Sequence, residues 1–149
     1  MKHFRKFSNL YGEDQHLLNS KISSDFVNKL VAFLENIPFW GYMVINGDDK
    51  DVLKVSKRIS RKQVTFGETR SCNYQISDIR SANGKQSFRI LDTRKDKFYN
   101  FLLNLPGKHN VFNAAGSIAV ALEESIEIQI IQKAISEFSG VGRRYEKHA

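Results

Sequence analysis

Asn110, Asn113 and Ser117 recur at i, i+3 and i+7 in the stretch LPGKHNVFNAAGSIAVAL, residues 105–122, with His109 just ahead of them. At 3.6 residues per turn this spacing puts the three on one face of a helix. An Asn amide presents a donor and an acceptor side by side, which matches the N6/N7 edge of adenine. The His109 ring adds a flat surface for stacking or one further hydrogen bond. Two readings stay open at this level. Either the stripe faces a ligand with hydrogen-bonding edges, or Asn110 is the helix N-cap while Asn113 and Ser117 face water.

Other residues carry weaker chemical signals. Arg143 and Arg144 in GVGRRYE are either solvated or one of them meets a phosphate, where a planar fork of donors would hold the transferring group. His3 and His16 are each able to touch a metal, but neither has a second His or a carboxylate at ligand spacing on a recognisable helix. The carboxylate pairs Asp48-Asp49 and Glu123-Glu124 fit turn caps and solvated helix faces. No G-x-x-x-x-G-K-[ST], G-x-G-x-x-G, H-E-x-x-H or G-x-S-x-G occurs, so the sequence displays no complete catalytic apparatus. Cys72 is the one cysteine, which excludes an intrachain disulfide and a paired-thiolate metal site and favours a reducing, cytoplasmic setting.

The elements that must position these residues follow from periodicity. Phe26, Leu30, Phe33, Leu34 and Ile37 form an amphipathic stripe that predicts a helix over 24–36, capped by Ser23 or Ser24 and ended by Pro38. Tyr42 to Ile45 predicts a buried strand, Gly47-Asp48-Asp49 a turn, and Asp48 or Asp49 the cap of a helix reaching about Lys57. A second strand at 62–67 completes a βαβ unit with parallel strands. Residues 73–105 predict a small antiparallel sheet, with Asn83-Gly84 as its hairpin turn. A helix from about His109 to Glu124 buries Ala115, Ile118, Ala119 and Leu122. A last helix from about Ile126 to Phe138 follows, with Ser125 as its cap. Residues 1–22 show no sustained period and predict irregular chain with one short helix.

The 149 residues suffice for one domain of ordinary size, and 41% hydrophobic with 26% charged content fits a globular chain. The net charge of +7 invites a search for phosphate partners. The basic residues are scattered, however, without interleaved aromatics at a known spacing, which weighs against nucleic acid. No apolar run approaches the roughly 18 residues that span a bilayer, and the first ten residues lack a signal-peptide core, so the expectation is a soluble cytoplasmic protein without a membrane.

PGKHNVFNAAGSIAVALE, AISEFSGVGRRYE and FLENIPFWGYMVINGDD together resemble the Mur ligases of peptidoglycan synthesis, the alanine-adding member most of all. The resemblance implies an α/β fold, part of the central ATP-binding domain, with short parallel strands and helices plus a small antiparallel sheet. It divides the chain into a poorly matched segment 1–22, an incomplete central domain 23–139, and a linker 140–149 towards a C-terminal domain. It implies adenine-side roles for His109, Asn110 and Asn113 and a phosphate contact for Arg143 or Arg144, without separating the two. His3 stands roughly where the family's magnesium-binding His would precede this region. The implied cofactors are ATP and Mg2+. The implied parent reaction joins L-alanine to the lactyl carboxylate of UDP-N-acetylmuramate, by way of phosphorylation of that carboxylate by ATP. The family's Gly-Lys-Thr/Ser phosphate loop does not occur in this sequence, so no ligase activity is expected of the chain alone. The rival expectation is a non-catalytic module that self-associates as a homo-oligomer through exposed truncated surfaces or binds acidic partners.

Overall fold

The computed structural model describes residues 23–141. Five strands are hydrogen-bonded in the order β1-β2-β3-β4-β5, and the chain divides into two compact units at Gln75/Ile76.

In the first unit, α1 (Ser24–Leu34) starts where the Ser23 Oγ accepts the Phe26 N–H at 3.2 Å. The helix ends four residues before Pro38, as the restriction on pre-proline residues requires. β1 (Tyr42–Asn46) and β2 (Lys62–Gly67) run parallel with Val44 opposite Val64, joined by α2 (Lys50–Ser56). Both candidate caps of α2 are in use, but differently. Asp49 is the N-cap, taking the Asp51 and Val52 N–H groups at 3.0 and 3.1 Å. Leu34, Met43, Ile45, Val52, Val55 and Ile59 form the core, with Val27, Leu30, Val31, Ile37 and Leu53 packed against it. Each such side chain contributes about 1.5–3 kcal/mol through burial. β2 pairs in parallel with the start of β3 (Tyr74–Ala82) at Phe66↔Tyr74 and Gly67↔Gln75.

In the second unit, Asn83 and Gly84 join β3 to β4 (Lys85–Asp92) with φ of +53° and +72°, the values of a type I′ hairpin turn. β4 pairs antiparallel with β5 (Lys97–Leu103), and the rings of the opposed Phe88 and Phe101 stack at 5.5 Å. α3 (Lys108–Glu123) packs on β4 through a face that includes the fully buried Ala115, Ile118 and Ala119. α4 (Ile128–Glu137) lies against β5, burying Ile131 and donating from Gln132 Nε2 to the Asn100 carbonyl at 2.9 Å.

One expectation about a cap fails. Ser125 does not cap α4, whose N-cap is Glu127. Ser125 instead takes a left-handed φ of +58°, its N–H reaches the Leu122 carbonyl, and the Ile126 N–H reaches back to Ala121. This pair of bonds is a Schellman motif closing α3. Sequence reasoning favoured the opposite assignment because Ser is a common N-cap, whereas the left-handed end position usually carries Gly. The expectations for residues 1–22 lie outside the described residues.

Candidate functional site

The first turns of α3 gather three of the sequence-derived site residues. The helix starts from Gly107, whose φ of +91° belongs to glycine, and no side chain caps it. A Cβ on Gly107 would lie 2.9 Å from the His109 ring, so the imidazole folds back over the bare glycine while staying exposed. The sequence therefore places a flat ring at the helix mouth by omitting a side chain two residues earlier.

Asn110 is not the N-cap. It sits inside the helix, half-buried, and its Nδ2 donates to the Pro106 carbonyl at 2.7 Å. That bond uses one amide hydrogen and fixes the group's orientation. The second hydrogen and Oδ1 take no hydrogen bond among the described residues. Asn113, one turn on, is half-buried, and its side-chain amide takes no hydrogen bond among the described residues. Ser117 is exposed and donates to the Asn113 carbonyl at 3.3 Å, so at that position the wet-surface reading holds. The stripe thus splits. Its first two amides are partly sheltered, and its last hydroxyl is ordinary surface.

Arg143, Arg144 and His3 lie outside the described residues. Among the described residues no group of three His, Cys, Asp or Glu is placed to hold a metal ion. The carboxylate pairs serve structure. Glu123 meets Arg94, which also reaches the buried Asp92. Asp48, a turn residue and the other cap candidate in the sequence, instead fastens the chain after β2. Its carboxylate accepts the Glu68 and Thr69 N–H groups at 2.7 and 2.9 Å and the Thr69 hydroxyl at 2.6 Å. The signal for this was the doubled Asp of GDD, one carboxylate for the helix and one for the neighbouring loop. Cys72 is buried beneath that loop. Burial first, and then the nearby Asp48 charge, push its thiol up to about 11, which removes it as a nucleophile at neutral pH.

The sequence profile of the Mur ligase middle domain matches residues 13–121. The chain belongs to the Mur ligase family. It is 39% identical over 120 residues to the UDP-N-acetylmuramate–L-alanine ligase of Psychrobacter sp. (strain PRwf-1), covering 80% of this chain and 25% of that protein. The corresponding ligase of Dechloromonas aromatica is 36% identical over 141 residues, with 93% and 28% covered. Among solved structures, the Thermotoga maritima UDP-N-acetylmuramate-alanine ligase MurC superposes with a TM-score of 0.67 at 24% identity, over 89% of this chain and 29% of that one. MurF from Acinetobacter baumannii gives 0.67 at 20% identity, over 82% and 26%. These structures establish the Mur ligase fold anticipated from the sequence. The chain spans about a quarter of the length of the curated relatives it matches. No helix among the described residues is long and apolar enough to cross a membrane.

Proposed function

We propose that this Mur ligase middle-domain chain supplies the adenine side of an ATP site, within an enzyme that joins L-alanine to UDP-N-acetylmuramate. The observation that carries the reading is the pair of half-buried amides at the mouth of α3. Asn110 is pre-oriented by Pro106, and Asn113 lies one turn further on without a described partner. Preorganised amides lose little freedom on binding and discriminate against bases with a different edge. In this reading His109 stacks on or hydrogen-bonds to the base, and Arg143 or Arg144 meets the phosphates. ATP would supply the phosphoryl group that activates the carboxylate. Among the described residues no cluster of His, Cys, Asp or Glu offers a cradle for Mg2+.

Without the phosphate loop in its sequence, the chain is expected to bind nucleotide without ligating alanine. The test is a two-dimensional NMR titration of the chain with Mg-ATP and, separately, Mg-GTP, following the side-chain amides of Asn110 and Asn113. Selective, saturating shifts with ATP are expected. Silence at millimolar ATP, or equal shifts with GTP, would overturn the adenine assignment. Alanine-dependent phosphate release by the chain alone would overturn the assigned division of labour.

A further inference from the structure

Surface turns normally centre on Gly, Asn, Asp or Ser, because these residues adopt turn geometry and tolerate water. The turn Pro38–Phe39–Trp40–Gly41, closed by the Gly41 N–H on the Pro38 carbonyl at 2.8 Å, centres on two aromatics instead. Phe39 is 88% and Trp40 74% exposed, and their rings meet edge to face at 5.4 Å. The turn is held firmly. Arg61 Nε donates to the Ile37 carbonyl, Arg61 Nη2 donates to the Glu35 carbonyl at 2.8 Å, and a Cβ on Gly41 would press to 2.7 Å from Ile37. The aromatics are therefore displayed by a rigid mount.

The surroundings are cationic. The 57–62 connection, which reaches the turn through Arg61 and through Ser60 on Glu35, carries Lys57, Arg58, Arg61 and Lys62. Lys57, Arg58 and Lys62 are exposed, and the Lys62 ammonium lies over the Tyr42 ring at 5.7 Å. Across 35–46 and 57–62 the single carboxylate is Glu35, already paired with Arg61 at 3.1 Å. An aromatic tip with a basic collar, offering few side-chain amides or carboxylates, complements a soft surface that is negative outside and apolar within.

We propose that this tip docks the first unit on an anionic lipid surface, Phe39 and Trp40 entering the headgroup region while Lys57, Arg58 and Lys62 meet lipid phosphates. This differs from spanning a bilayer, which the sequence excludes for any run within it. The tip is at the N-terminal end of β1, away from Asp48 at the other end, so docking leaves the Asp48 loop uncovered.

Trp40 is the only tryptophan, so its emission reads the tip directly. The full chain is mixed with vesicles of phosphatidylcholine alone, or of phosphatidylcholine with phosphatidylglycerol, and followed by Trp emission and co-sedimentation. A blue shift and pelleting with the anionic vesicles, weakened by salt, are expected. Phe39→Ser should abolish the shift, and Lys57→Gln or Lys62→Gln should each lower partitioning about fivefold, with unchanged circular dichroism showing that the variants fold. Three results would overturn the proposal: no response to anionic vesicles, pelleting that Phe39→Ser leaves intact, or a blue shift that grows with protein concentration before any vesicle is added. A response to single-stranded oligonucleotide in place of vesicles would also overturn it and reassign the tip to nucleic acid.

Discussion

α2 and α3 begin in opposite ways. α2 is seven residues long and sealed, with Asp49 taking two of its first N–H groups. α3 is sixteen residues long and opens on a glycine with no capping side chain, with His109 exposed and Asn110 and Asn113 half-buried in its first turns. A short helix needs its cap, because few intrahelical bonds and little burial support it. A long helix with Val111, Ala115, Ile118 and Ala119 fully buried has stability to spare at its first turn. The longer helix can leave its first turn uncapped, and the shorter one cannot.

That contrast can be broken most severely at Gly107. Replacing it by Ser, a favoured cap elsewhere, should destabilise the chain by about 2 kcal/mol, since a Cβ is strained at this φ and collides with the His109 ring. Urea unfolding measures it, and a stabilised G107S would mean the open start is an accident of composition. Asp49→Ala should remove about 1 kcal/mol by unsealing α2, again by urea midpoint. Ser125→Gly should raise stability by about 0.5–1 kcal/mol, because the closing turn of α3 holds a left-handed backbone that glycine adopts freely. Asn113→Ala should change stability by less than about 0.5 kcal/mol, as alanine favours helices. It should nevertheless erase the ATP response at Asn110 in the NMR titration. Loss of stability comparable to D49A would show Asn113 to be a structural residue instead.

The sequence disclosed much of this through periodicity and local chemistry. The α1 stripe, the Asp cap of α2, the strand at 62–67 and the Asn83-Gly84 turn rest on short-range rules, and each stands where those rules put it. What escaped depends on contacts far apart in the chain. Asn110 looked like a cap because the Pro106 carbonyl that claims its amide cannot be foreseen from composition. Ser125 was misassigned because two helices meet there and one residue type suits both sides of the junction. Phe39 and Trp40 entered the sequence reading only through the family resemblance. Only the closed turn, with Arg61 bracing it from 24 residues away, shows that they face outward. For the site, Arg143, Arg144 and His3 stay with the family resemblance, since they fall outside the described residues.

The burial of Cys72 has a practical consequence. As the sole thiol, 1% exposed under the loop that Asp48 fastens, it acts as a clock for the opening of that loop. A thiol reagent can react only in molecules that have momentarily released residues 68–72, so the labelling rate at fixed pH counts openings. The closed state holds the proton on sulfur up to about pH 11. The stability this adds is complete below the unfolded thiol pKa of about 8.5–9 and fades as pH rises through the folded value. Labelling should therefore quicken with alkalinity for two reasons at once, more frequent opening and a more reactive exposed sulfur. Asp48→Asn, which weakens the clasp and also removes a charge that holds the proton on sulfur, should advance the clock at every pH.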